Sequence, residues 1–276
     1  MTTANAQITA FRKLHAGGCF VIPNPWNPGT AKYLRHLGFR ALATTSAGYA
    51  FAQGLPDGAV SRDDMLTHIS EIVEATDVPV NADYGTGFAD EPEQVAQNVK
   101  KCIATGVAGL SIEDATGDAS KPLYEFSLAV ERIRAARAAI DESGSGVLLT
   151  GRAECYLVRH PDAFAESIRR LQAYKEAGAD VLYAPGVSKR EEMQEIVSAA
   201  APKPVNILIG ADLGLRVFDL EAMGVRRISV GGALARSAWT AFAGAAKPIA
   251  EQGSFAGLTG LMSHPELNRL FATEER

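Results

Sequence analysis

The sequence predicts a (β/α)8 barrel folded as one domain, and three observations carry that expectation. Eight short apolar runs recur along the 276 residues, each is followed by an amphipathic stretch of helical length, and a glycine repeatedly stands just ahead of the next run. In chain order the runs are Cys19–Ile22, Ala41–Thr44, Val78–Ala82, Gly109–Ile112, Val147–Thr150, Val181–Ala184, Val205–Leu208 and Arg227–Val230. Runs this short and apolar, separated by helical stretches, are the pattern of buried parallel strands joined by crossover helices.

Local signals mark where helices begin and end. After the second run, Ser61-Arg62-Asp63-Asp64 has the spacing of a capping box; after the third, Glu91-Pro92 opens a helix; after the fifth, His160-Pro161 opens another. Gly38, Gly106, Gly178 and Gly224 each fall where a left-handed residue would end a helix before a strand starts. No low-complexity linker or long charge run interrupts the array, so residues 1–276 form one domain, with a helical extension from about residue 252 onward. Eight units also suit an open doubly wound sheet. Both architectures place chemistry at the C-terminal ends of the strands, so those ends hold the informative residues.

Bulk properties remove several classes of function. The chain is 47% hydrophobic and 21% charged, ordinary for a globular protein with a large core. Its net charge of −5 offers no basic face for nucleic acid. Three scattered cysteines, Cys19, Cys102 and Cys155, lack the spacing of a zinc site and suit a reducing, cytoplasmic setting. The N-terminal stretch lacks the apolar core of a signal peptide, and no later segment has the length of apolar sequence that spans a bilayer.

The third run places Asn81 and Asp83 two residues apart, hence on one face, before the turn Tyr84-Gly85-Thr86-Gly87. The fourth run ends in Glu113-Asp114, which sets further carboxylates on the neighbouring edge. Clustered oxygen donors of this kind suit a hard cation such as Mg²⁺. Taken singly, each acid reads as readily as a helix cap or an arginine partner, and for Asp114 that is the preferred reading. The glycine turn lacks the GxGxxG register and follows acidic residues, so it is not a nucleotide cradle. Thr44-Thr45-Ser46-Ala47-Gly48 ends the second strand with hydroxyls and backbone amides that suit a carboxylate or enolate oxygen, and reads equally as a tight turn. Asp57 lies in a Pro-Asp-Gly turn long enough to fold back over the barrel mouth. Arg152 follows the fifth strand, where it can hold a substrate carboxylate or pair with Glu154 or Glu113. Arg236 lies about one turn into the last barrel helix, facing either the pocket or the helix surface.

Taken in order, these segments resemble the isocitrate lyase/phosphoenolpyruvate mutase superfamily along nearly the whole chain. Val80-Asn81-Ala82-Asp83-Tyr84-Gly85-Thr86-Gly87-Phe88 is similar to that family's VDADxGxG metal strand. Thr44-Thr45-Ser46, Gly54-Leu55-Pro56-Asp57, Ile112-Glu113-Asp114, Gly151-Arg152 and Pro204-Val205-Asn206 follow in family order. The resemblance implies a barrel of the phosphoenolpyruvate/pyruvate type and a Mg²⁺ or Mn²⁺ held by Asp83, Glu113 and Asp57, with Asn81 in the position of the family's leading aspartate. It implies substrate contacts from Thr45, Ser46, Ala47, Arg152, Asn206 and Arg236. The implied chemistry breaks or makes a bond beside a small 2-oxo or 2-hydroxy acid through an enolate.

Three departures narrow that expectation. Asn81 replaces an aspartate. The lyases' KKCGH loop is here Thr116–Leu123, where Lys121 is the one candidate acid/base, and Pro185 stands where those lyases carry glutamate. Isocitrate and methylisocitrate cleavage are therefore disfavoured. A metal-dependent lyase, decarboxylase or hydrolase leads, with phosphonomutase chemistry or a catalytically silent 2-oxo-acid binding protein as alternatives. Loop 115–125 reads as a mobile gate. The apolar stripe of Phe255–Phe271 lies beyond the eighth unit and needs another surface. The resemblance points to helix exchange in a homodimer or homotetramer.

Overall fold

Eight parallel strands pair in the order β1-β8-β7-β6-β5-β4-β3-β2. They are β1 (Phe20–Ile22), β2 (Leu42–Ala43), β3 (Val80–Asp83), β4 (Gly109–Glu113), β5 (Leu148–Arg152), β6 (Val181–Tyr183), β7 (Val205–Leu208) and β8 (Arg227–Ser229). In this computed structural model, which describes residues 3–272, the two ends of the sheet meet where Ala43 N–H donates to the Pro23 carbonyl at 3.0 Å. The result is a nearly closed (β/α)8 barrel. Every run expected from the sequence overlaps a strand, with β3 and β4 each ending one residue later than expected. Val205–Leu208 matches end to end, whereas the fifth shifts from Val147–Thr150 to Leu148–Arg152 and so takes Arg152 into the sheet.

Helices follow the strands as the periodicity requires: α2 (Pro28–His36), α3 (Ser46–Ala52) and α4 (Arg62–Glu74), α5 (Pro92–Ala104), α6 (Phe126–Ser143), α7 (Ala163–Glu176), α8 (Arg190–Ala200), α9 (Val217–Ala222) and α10 (Ala233–Gln252). Helix α1 (Thr3–Ala16) precedes the array and α11 (His264–Phe271) follows it. The four glycines expected to end helices have φ of 89°, 87°, 100° and 87° at Gly38, Gly106, Gly178 and Gly224, the left-handed region in which a Cβ is costly. Two helix starts differ from expectation. Ser61 caps α4 by accepting from Asp64 N–H at 3.2 Å, but the reciprocal half of a capping box is absent, because the Asp64 carboxylate takes the Ser61 hydroxyl at 2.6 Å. Helix α7 begins at Ala163 rather than at Pro161, because His160 Nδ1 accepts from Asp162 N–H at 3.1 Å and holds the preceding residues in a turn.

Helix α1 closes the N-terminal end of the barrel. Phe11 is fully buried, and His15 meets the rings of Phe11 and Phe20 edge-on at 4.6 and 5.0 Å. Phe11 reaches so close to β4 that a Cβ on Gly109 would lie 2.7 Å from its ring and 2.7 Å from Asn81 Oδ1, so only glycine fits. With that end plugged, the barrel interior opens at the C-terminal rim.

His68 on α4 is buried and stacks on Tyr49 with ring centroids 3.9 Å apart, and neither of its nitrogens has a hydrogen-bond partner among the described residues. Burial pushes its pKa down to about 4. The unfolded chain, with an ordinary histidine, binds this proton between about pH 6.5 and 4 while the folded chain does not, so stability falls as pH drops through that window. We expect His68→Phe, which keeps the stack and removes both unsatisfied nitrogens, to remove about 2 kcal/mol of that acid-side loss in urea titrations at pH 7 and pH 4.5. An unchanged difference between the two pH values would refute this assignment.

Candidate active site

At the C-terminal rim the strands surround a cavity of about 360 Å³. β3 and β5 supply Asp83 and Arg152 to its wall, the β2–α3 junction supplies Thr45, Ser46 and Ala47, β7 supplies Asn206, and the start of α10 supplies Arg236. Asn81 and Asp57 line it as well. Strand alternation explains the grouping, since Asn81 with Asp83, Ser111 with Glu113, and Thr150 with Arg152 each share the inward face of one strand.

The electrostatic centre is Arg152. Its Nη1 lies 3.0 Å from Glu113 Oε2 and 3.2 Å from Asp83 Oδ1, and its Nε donates to Glu154 Oε1. Three carboxylates therefore converge on one guanidinium. Burial pushes the Glu113 carboxyl up to about 8, helped by Glu154, Asp83 and Asp114 and opposed by Arg152. Glu154 is raised chiefly by burial, against the pull of Arg152. For Arg152 itself burial works against the charge, but Glu113 and Glu154 outweigh it and hold the group firmly protonated. Tyr183, across the wall, carries the Arg152 guanidinium 5.3 Å over its ring, and burial lifts its phenol to about 12.

Asp83 is held from the other side. Ser46 donates to Asp83 Oδ2 through both its backbone N–H and its hydroxyl at 2.9 Å, and Thr44 Oγ1 accepts from Asp83 N–H at 2.9 Å. The Thr44 and Ser46 hydroxyls and the Ser46 amide that the sequence offered to a ligand oxygen are thus engaged by Asp83 here, and the Thr45 hydroxyl caps α3 by accepting from Gly48 N–H at 3.2 Å, while the Ala47 amide has no acceptor among the described residues. Asp57 sits in the expected turn, closed by Ala59 N–H to the Pro56 carbonyl at 3.2 Å, and its carboxyl faces the cavity mouth. Although much of its surface meets solvent, partial burial and then the charge of Asp83 raise its pKa.

Other expected residues fall elsewhere. Asp114 faces away from the cavity and takes the role of arginine partner: it is buried and accepts from Arg170 Nη1 at 3.0 Å, Tyr174 Oη at 2.5 Å and Glu154 N–H at 2.8 Å. Asn81 Nδ2 donates to the Ala82 carbonyl at 3.1 Å, leaving its buried Oδ1 without a partner. Lys121 is exposed on a loop closed by an Ala115–Leu123 bridge and does not line the cavity. The carbonyls of Thr86, Ala89 and Asp90 are bound by Arg132, so the glycine turn is a structural brace.

Sequence reasoning undervalued Glu154 and passed over Arg227. Glu154 appeared only as a possible bland partner of Arg152, yet it orients that side chain and ties it to Asp114. Arg227 offered one signal: the Arg227-Ile228-Ser229 alternation sets a charged residue on the inward face of β8.

Among the described residues, no three His, Cys, Asp or Glu side chains are placed to hold a metal ion together. The donor chemistry nonetheless fits a hard cation. Asp83 and Glu113 are carboxylates gathered within 3.2 Å of one positively charged nitrogen, and Mg²⁺ takes one or two carboxylates with water and substrate oxygens completing its shell.

Fold and cavity together define a (β/α)8-barrel protein with a charged cavity at the strand C-termini. The phosphoenolpyruvate phosphomutase family model matches residues 11–250, and the chain belongs to that family, within the isocitrate lyase/phosphoenolpyruvate mutase superfamily. It is 30% identical over 244 residues to an uncharacterised protein of Mycobacterium tuberculosis H37Rv, covering 88% of this chain and 89% of that one. A solved protein of Burkholderia cenocepacia J2315, provisionally described as a lyase/mutase, superposes with a TM-score of 0.95 at 45% identity over 99% of both chains. The 2,3-dimethylmalate lyase structure, a member of the same superfamily, gives 0.83 at 28% identity over 98% of this chain and 94% of that one.

Proposed function

We propose that the chain is a Mg²⁺-dependent lyase, decarboxylase or hydrolase of a small 2-oxo or 2-hydroxy carboxylic acid, acting through an enolate. The observation that carries this reading is the convergence of Asp83, which lines the cavity, and of Glu113 on Nη1 of the cavity-lining Arg152. Asp83 and Glu113, with Asp57 acting through water, would hold the cation, which when bound supplies Lewis-acid stabilisation of negative charge on the oxo acid.

The protein's own groups do the rest. Arg152, fixed by Glu154, presents its charge to the substrate carboxylate; as the bond beside the oxo group breaks, the electron pair moves onto the oxo oxygen, where the Ala47 amide and Arg152 offset it. Asp57, with its raised pKa, stands at the mouth to hold or release a proton. Lys121 serves as a proton donor only if its loop folds inward. Phe51 and Leu157 supply apolar wall that limits water.

The test is turnover of oxaloacetate, alkylmalates and phosphonopyruvate with Mg²⁺ and with EDTA. We expect metal-dependent cleavage of a carboxylic acid. Selective turnover of phosphonopyruvate would move the assignment to phosphonomutase-type chemistry, and oxalate binding without any turnover would mark a silent binding protein.

The same reading extends to assembly. Trp239, Phe242, Phe255, Leu261 and Met262 are 46–68% exposed along α10 and the segment after it. We assign this face to a second copy of the chain, in a homodimer or homotetramer. Light scattering is expected to give a multiple of the chain mass; a monomer at micromolar concentration would contradict it.

A further inference from the structure

Beneath the rim, the floor of the same cavity carries a charge that no carboxylate among the described residues neutralises. Arg227, the first residue of β8, is 3% exposed and lines the cavity together with Asn206, Ser111 and Ser229. Its Nε donates to Asn206 Oδ1 at 2.9 Å and its Nη2 to Thr150 Oγ1 at 3.0 Å, while Nη1 has no partner. Both acceptors are neutral. Asn206 is itself fixed by its Nδ2 donating to Ser229 Oγ at 2.9 Å, so these polar side chains form a connected floor.

Two other buried arginines are compensated by carboxylates, Arg170 by Asp114 and Glu166 and Arg152 by Asp83, Glu113 and Glu154. Arg132 has neutral partners as Arg227 does, three backbone carbonyls and the Tyr124 ring at 4.0 Å, but it lies outside the cavity, whereas Arg227 lines it. Arg227 has no carboxylate within salt-bridge distance among the described residues. Burial lowers its pKa to about 10, which still leaves it a cation at neutral pH. A buried charge without a counter-ion is costly, and a cost of this kind in a ligand cavity is met by a ligand of opposite sign. The rim arginine is committed to the oxo-acid end of the substrate as well as to three carboxylates, and Arg236 is exposed to water that screens it.

Resting on the reading of this cavity as a 2-oxo-acid site, we propose that Arg227 is the counter-charge for a second anionic group of the substrate, so that the preferred substrates are small dicarboxylates. Spacing supports this. Thr150, which meets Arg227, and Arg152 lie two residues apart on one face of β5, a rise of about 6.6 Å. A diacid of four or five carbons spans that height, with its oxo-acid end at the rim and its distal carboxylate toward Arg227, Asn206 and Ser229.

The test compares 2-oxoglutarate with 2-oxovalerate, which is the same length but ends in a methyl group, alongside oxalate, which has no distal arm. Binding is measured by calorimetry with Mg²⁺ on the full chain and on Arg227→Met. The wild-type protein is expected to bind 2-oxoglutarate at least about tenfold more tightly than 2-oxovalerate. Arg227→Met should bring that ratio to about one while leaving oxalate affinity within about threefold, and its thermal midpoint should not fall, because methionine buries no charge. Arg227→Lys, which keeps the charge, should keep the preference. Equal wild-type affinity for the two C5 acids overturns the proposal even if Arg227→Met does not fold, and so does a preference that persists in Arg227→Met. Failure of wild-type protein to bind oxalate with Mg²⁺ would instead overturn the cavity reading on which the proposal rests.

Discussion

Asp83→Ala is expected to lower kcat/KM by about a thousandfold or more and to abolish Mg²⁺-dependent oxalate binding, without unfolding the protein. Asp83 is where the β2–α3 junction and the opposite wall of the site meet: Oδ2 accepts twice from Ser46 and Oδ1 lies 3.2 Å from Arg152. Removing it deletes one of two carboxylates available to a cation and frees Arg152 to turn toward Glu113 and Glu154. Loss of a pre-organised group that stabilises developing charge costs on the order of a hundred- to a thousandfold, and loss of the cation adds to that. Stability should change little, because Glu113 and Glu154 still neutralise Arg152 and Ser46 can turn to water in the cavity. Retention of more than a tenth of wild-type activity would show that Asp83 is a structural anchor for α3 alone.

Asp114→Ala is expected to have the largest effect on stability, about 3–5 kcal/mol, or roughly 10 °C in thermal midpoint. Asp114 is 2% exposed and satisfies Arg170, Tyr174 and the Glu154 amide at once. Its removal leaves a buried guanidinium with Glu166 and the Tyr124 carbonyl alone, and leaves a buried phenol and a buried amide without an acceptor. Because the amide belongs to Glu154, which orients Arg152, a drop of about tenfold in kcat should accompany the loss of stability. Thermal unfolding together with steady-state kinetics checks both. A shift below about 2 °C would mean that the Asp114 network is dispensable.

The barrel was legible because its signals are local. Apolar runs, the spacing of glycines that must take positive φ, and capping residues act within one turn or strand of the positions they determine. The misplacements are local as well: His160 captures the Asp162 amide through its ring and delays α7, a side-chain choice that composition does not encode. At the site, Asn81, Asp83, Glu113 and Arg152 could be assigned to neighbouring strand ends, since alternation fixes which way each points. What alternation cannot give is contact across the barrel. That Ser46 spends its amide on Asp83, that Glu154 steers Arg152, and that Arg227 crosses to Thr150 all depend on side chains from strands distant in sequence meeting in the interior. Lys121 illustrates the reverse case, for its position in the chain suggested chemistry, but its loop carries it into solvent.

Calorimetric titration of the protein at pH 7 with oxalate, with and without Mg²⁺, tests the central claim most directly, since oxalate mimics the planar pair of oxygens of an enolised 2-oxo acid. We expect oxalate to bind only when Mg²⁺ is present and Asp83 and Glu113 are both intact. Oxalate binding of equal strength in EDTA, or undiminished Mg²⁺ dependence in the Asp83→Ala, Glu113→Gln double variant, would contradict the assignment of these two carboxylates to one cation site.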